Sequence, residues 1–124
     1  MAWKHYSEMI VWQKSMDLVV EIYRLVKLLP ADERYALSEQ MRRAAVSIPS
    51  NIAEGESRKT DKEFKHFLSI AKGSVSEVET QLFICRRINY LTEEQIQNSV
   101  LQCQEVRRMI TKLIQNYTTI SDKN

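Results

Sequence analysis

Apolar residues recur at helical spacing along most of the 124-residue chain, and polar runs interrupt them at short, well-marked points. The pattern predicts four helices, over about 8–29, 33–54, 61–90 and 93–117. Ser7 is the candidate N-cap of the first, and Pro30 stops it. Asp32 is expected to cap the second helix, and Gly55 to end it in a left-handed C′ conformation. Thr60 with Glu63, and Thr92 with Gln95, have the spacing of capping boxes that open the third and fourth. The closing run TTISDKN is expected to fray. Breaks this short make successive helices antiparallel, so the expected fold is all-α: residues 1–124 as one up-down-up-down four-helix bundle domain.

Composition agrees with that reading. Two Gly and two Pro in the whole chain favour helix over strand and turn, and 44% hydrophobic with 27% charged residues is usual for a soluble globular protein. The net charge of +2, from 18 basic and 16 acidic residues, does not announce a nucleic-acid binder. A basic surface must therefore come from segregation of charge. Cys85 and Cys103 lack metal or redox spacing and fall among apolar residues, which predicts buried free thiols in a reducing compartment. The N-terminal MAWKHYSEMI has no apolar signal core, and no window approaches the roughly 20 apolar residues of a spanning helix. The expectation is a cytoplasmic protein that does not enter a membrane.

The stretch QMRRAAVSIPSNIAEGESR, Gln40 to Arg58, is the most distinctive. At 100° per residue Leu37, Met41, Ala44, Ala45, Ile48 and Ile52 share a sector of roughly 100°, the core stripe of the second helix. The paired alanines permit a close helix neighbour. Pro49 should bend the helix without ending it, because Ile52 stays in phase. Ser47, Ser50 and Asn51 sit where their side chains can satisfy backbone groups loosened at the bend.

That stretch, with VWQKSMDLVVEIY, LLPADERYALSEQ and EFKHFLSIAKGSVSEVETQL, resembles the four-helix-bundle family encoded in intervening sequences of bacterial 23S ribosomal RNA genes. The resemblance runs from about Trp12 to Tyr90, and SIPSNIAEG is its most specific part. It implies a four-helix bundle that associates as a homopentameric ring. Related accessory proteins of diversity-generating retroelements bind nucleic acid and a reverse transcriptase, and no enzymatic activity is implied. The motif residues Arg42, Arg43, Ser47, Pro49, Asn51, Glu54 and Gly55 carry no known chemistry and are taken as structural.

The residues add two expectations of their own. In the first helix Val11, Trp12, Met16, Leu18, Val19, Val20, Ile22, Tyr23, Leu25, Val26 and Leu29 span roughly 220° of the circumference, about twice the stripe that a surface helix needs. Lys14, Asp17, Glu21 and Arg24 gather on the rest, so a second subunit is expected to cover part of the excess. In the third helix Lys62, Lys65, Lys72 and Arg87 share a sector of ~80° opposite Phe67, Ala71, Val78 and Cys85, with Ser69 and Ser76 between them and Glu79 at the edge. Such a ridge suits backbone phosphates of RNA or DNA. Arg58 and Lys59 extend it, and Arg108 and Lys112 of the fourth helix are expected to widen it.

Chemistry of other kinds is not predicted. Glu63 and His66 have the spacing of a di-iron ligand pair, but the second such pair is missing and Glu63 is accounted for by the capping box, so no metal is expected. No nucleophile, base and acid are suggestively spaced, and no Gly-rich phosphate loop is present, so neither catalytic residues nor a cofactor is expected. Two functions remain: a non-catalytic homopentamer that binds nucleic acid through phosphates, or a ring-shaped adaptor that recruits a protein partner.

Overall fold

The structure, a computed structural model, describes residues 5–121, with side chains as far as Tyr117. Four helices follow one another: α1 (Ile10–Val26), α2 (Leu37–Glu56), α3 (Asp61–Arg87) and α4 (Glu93–Ser121). Short 3-10 turns lie at Tyr6–Glu8 and Ala31–Glu33, and there is no strand among the described residues. α1 packs on α2 and α4, α2 on α3, and α3 on α4.

Neighbours run in opposite directions. Trp12 shares a hollow with Ala53 near one end of the α1–α2 pair, and Tyr23 shares one with Arg42 near the other. Ser47 meets Ser74 and Met41 meets Cys85 between α2 and α3. Glu79 meets Arg107 and Phe64 meets Tyr117 between α3 and α4. Lys14 pairs with Glu105, which closes the bundle between α1 and α4.

The core follows the helical stripes. Leu18, Ile22 and Leu25 of α1, Met41, Ala45, Ile48 and Ile52 of α2, Leu68, Val75 and Leu82 of α3, and Cys103 and Ile110 of α4 are fully buried. Cys85 and Cys103 are free and buried; burial pushes their thiols up to about 11 and about 12, so both stay protonated at neutral pH. No described helix is long and apolar enough to cross a membrane.

Several helix ends differ from the sequence expectation. α1 starts at Ile10 rather than Glu8, because His5, not Ser7, caps a separate 3-10 turn through bonds with Ser7 N and Glu8. Asp32 does not cap α2: it lies inside the Ala31–Glu33 turn, and α2 begins five residues later at Leu37. That turn closes on itself through Glu33 N donating to the Pro30 carbonyl at 3.0 Å and Arg34 N to that of Ala31 at 3.2 Å. At Thr60 only one half of the box is made, Glu63 N donating to Oγ1. Thr92 and Gln95 make both halves. α3 ends at Arg87 rather than Tyr90. Asn89 takes a left-handed φ of 65° there, while Tyr90 N and Asn89 N donate to the carbonyls of Cys85 and Arg86. α4 continues to Ser121 past the end expected at Tyr117. Residues 122–124 of the tail expected to fray lie outside the described residues.

α2 runs through Pro49 unbroken. Asn51 Nδ2 donates to the Ser47 carbonyl at 2.8 Å and Ser47 Oγ to that of Ala44 at 2.7 Å, so side chains do supply donors around the proline turn. Gly55 departs most from expectation. It is buried inside α2 without a positive φ, and the reason for it lies in α3, where an added Cβ would meet Phe67 Cβ at 2.8 Å and Phe64 Cδ1 at 3.0 Å. Gly73, inside α3, has nothing within 4 Å of such an atom.

The two glycines should therefore respond oppositely to alanine. Gly73→Ala is expected to stabilise by about 0.5–1 kcal/mol through helix propensity alone. Gly55→Ala gains the same propensity but overpacks a contact that typically costs ~1–3 kcal/mol, for a net loss of up to about 2 kcal/mol. Urea melts of the pair test this. A stabilised Gly55→Ala variant would mean that α2 and α3 can part freely.

Candidate nucleic-acid interface

α3 is amphipathic because residues three and four apart share a face, and its buried side is filled by Phe64, Leu68, Ala71, Val75, Val78, Leu82 and Cys85. The opposite sector holds the basic ridge. Lys62, Ser69, Ser76 and Arg87 are exposed, while Lys65 and Lys72 are half-buried, as expected of long side chains that lay their stems along the bundle. Lys62 to Arg87 covers ~38 Å of helix at 1.5 Å per residue.

Ion pairs engage some of the basic residues outside this ridge, whereas Lys27, Arg34, Arg42 and Arg43 have none among the described residues. Arg24 pairs with Glu21, Arg58 with Glu54, Arg86 with Glu93 at 3.5 Å and Arg107 with Glu79 at 2.7 Å. Among the described residues Lys59, Lys62, Lys65, Lys72, Arg87, Arg108 and Lys112 have no such partner. Glu79, the carboxylate at the ridge edge, is held by Arg107 of α4 with both side chains largely covered. Its charge is therefore offset within the fold, and the ridge beside it stays positive.

The structure distributes the sequence candidates unevenly. Lys59, in the loop before α3, is exposed at the ridge entry. Arg58 is also there, but it pairs with Glu54 and its guanidinium lies over the Phe67 ring, 4.9 Å from the centroid. Arg108 is exposed on α4. Lys112 lines a hollow with Glu8, Met9, Ile10 and Val11, which puts it on the flank of α4 that faces α1. It does not widen the α3 ridge, because antiparallel pairing matched its height along the bundle but not its side. Exposed Glu63 and His66 belong to no metal-holding group among the described residues.

Two residues of this surface escaped the sequence reading. Phe83 lies within the basic sector and is 47% exposed. Its signal was available, since it follows Lys65 by 18 residues, five whole turns at 3.6 residues per turn. Arg107, which neutralises Glu79, left no trace in the sequence because the pair joins different helices.

The SIPSNIAEG motif belongs to the scaffold. The Ser47 and Ser74 hydroxyls lie 2.6 Å apart and tie α2 to α3, Arg42 Nη2 donates to the Arg34 carbonyl at 3.4 Å, and Pro49 is buried toward α1. Beside Pro49 runs an open apolar groove lined by Trp12, Met16, Val19 and Val46, continuing past Arg43 to Tyr23. Val20 is 69% exposed and Met16, Tyr23 and Val46 are about 40% exposed. The part of the α1 stripe that the rest of the chain leaves uncovered is thus a continuous surface.

The chain matches the family model described as 23S rRNA-intervening sequence protein over residues 7–112. It is also similar to a solved structure from Bacteroides thetaiotaomicron, described as a protein of unknown function from the S23 ribosomal protein family. The two share 30% identity with a TM-score of 0.78, over 85% of this chain and 98% of the other. No curated protein matches.

Proposed function

As the chain belongs to the family of 23S rRNA-intervening sequence proteins, we propose that it is a non-catalytic, cytoplasmic bundle protein that binds RNA or DNA through backbone phosphates. The observation that carries this is the ridge of cations on α3 without acidic partners, whose edge carboxylate, Glu79, is held by Arg107 of α4. Unpaired cations and exposed hydroxyls spaced along a helix offer charge and donors to phosphates without reading base edges. The uncovered face of α1 supports self-association, proposed as a ring of five subunits, in which repeated copies of a modest patch act together. The family description, which names 23S rRNA, makes ribosomal RNA fragments the first ligands to try.

The test is the variant with Lys65, Lys72 and Arg87 all replaced by Gln. Its binding to unrelated nucleic acids should weaken by similar factors, and the salt slope on duplex DNA should fall by about one for each lost contact per engaged subunit. Because these side chains face away from the core, stability should move by no more than about 0.5 kcal/mol. Unchanged affinity and slope would leave the ridge a solvated face. The adaptor reading would then gain, supported by Ile70 and Ile84 on a neighbouring flank of α3 and Ile88 just past its end, all more than 40% exposed. Loss of binding through dissociation of the assembly would place the three residues in the subunit interface.

A further inference from the structure

Phe83 is an apolar ring held out among cations. On α3 it is one turn from Arg87, with ~5–6 Å between their Cβ atoms, and along the same sector come Ser76 and Lys72 at ~10 Å and ~16 Å. The acidic residue one turn before it, Glu79, is bound to Arg107. Other exposed aromatic rings lie off this face: Tyr23 lines the α1–α2 groove and Tyr35 lies under its own neighbour Arg34.

A duplex presents phosphates to a basic ridge but keeps its base faces inside the stack, so an exposed ring gains little from it. An unpaired base offers a π-face that stacks on an aromatic ring whatever its sequence, while flanking phosphates meet cations. We propose that Phe83 is a stacking platform for an unpaired base, so that the ligand of the α3 ridge is single-stranded nucleic acid. This rests on the phosphate-binding reading and adds to it the class of strand bound. Lys72 and Arg87, on either side of the ring along the helix, hold the backbone of a strand whose base lies on Phe83.

The experiment uses the full chain with three probes of equal phosphate number: oligouridylate, oligodeoxyuridylate and a hairpin duplex. The first two stack weakly on themselves and leave their bases free. Phe83→Ala should weaken both single strands about 5- to 150-fold, leave the duplex within twofold, and keep the salt slope because no charge is lost. Phe83→Trp should restore binding, with indole emission quenched by the stacked base. Tighter binding of one single strand over the other names the sugar, and either preference supports the platform. Phe83→Ala that binds single strands like wild type overturns it, as does Phe83→Leu with full affinity. A fall in assembly mass on Phe83→Ala also overturns it, since the ring would then belong to a subunit contact. If the triple Gln variant loses every probe while Phe83→Ala loses none, phosphate binding stands and the platform falls. If wild type binds no probe, both fall.

Discussion

Val20→Glu is expected to reduce the proposed assembly to single chains while leaving the helical bundle folded. Val20 is 69% exposed in one subunit, so there the new carboxylate stays in water and should change stability by no more than about 0.5 kcal/mol. Between subunits the same carboxylate would be buried without a partner, at a cost of several kcal/mol per contact, or more than ~100-fold in association. Light scattering at micromolar concentration reads the first effect and circular dichroism the second. Trp12→Glu and Val19→Glu make the contrast: both residues are half-buried against the subunit's own core, so these changes should damage folding as well as assembly. A wild-type protein that scatters as a monomer would defeat the assembly proposal, and an unfolded Val20→Glu variant would show that α1 is needed inside the subunit on that face too.

The second large effect is in the core. Leu82 of α3 is fully buried on the helix that packs against both α2 and α4, and Leu82→Ala should cost about 2–5 kcal/mol through lost transfer energy and an unfilled cavity. Denaturant melts at one fixed protein concentration measure it, since association would otherwise add a concentration-dependent contribution. A loss under about 1 kcal/mol would mean that the helices close over the gap. The expected contrast is with the ridge variants on the other side of the same helix, which should lose binding and keep stability.

Features with short-range causes were legible in the sequence. The four helices, their core stripes and the opening of α4 at Thr92 follow from spacings of two to four residues, where neighbours along the chain are neighbours in space. The basic face of α3 was legible for the same reason, and Phe83 falls on that face by the same periodicity, 18 residues after Lys65. SIPSNIAEG marked the family, and its role as scaffold became visible only once α2 lay against its neighbours.

The rest depended on partners distant in sequence. Gly55 suggested a helix stop because local chemistry permits one, yet it serves the approach of Phe67 and Phe64 from α3, and no periodicity within α2 could report that. Asp32 had the residue type of an N-cap, but Pro30 and Ala31 drew their own turn from the same residues and delayed α2 to Leu37. Lys112 had the right height and the wrong flank, because a helix's rotation about its axis is set by what its apolar side must cover. The pairing of Glu79 with Arg107 joins α3 to α4 and decides how positive the ridge is. Periodicity along one chain determines which face of a helix is apolar; only packing determines which neighbour covers that face, which charges meet across the seam and which rings are left in water.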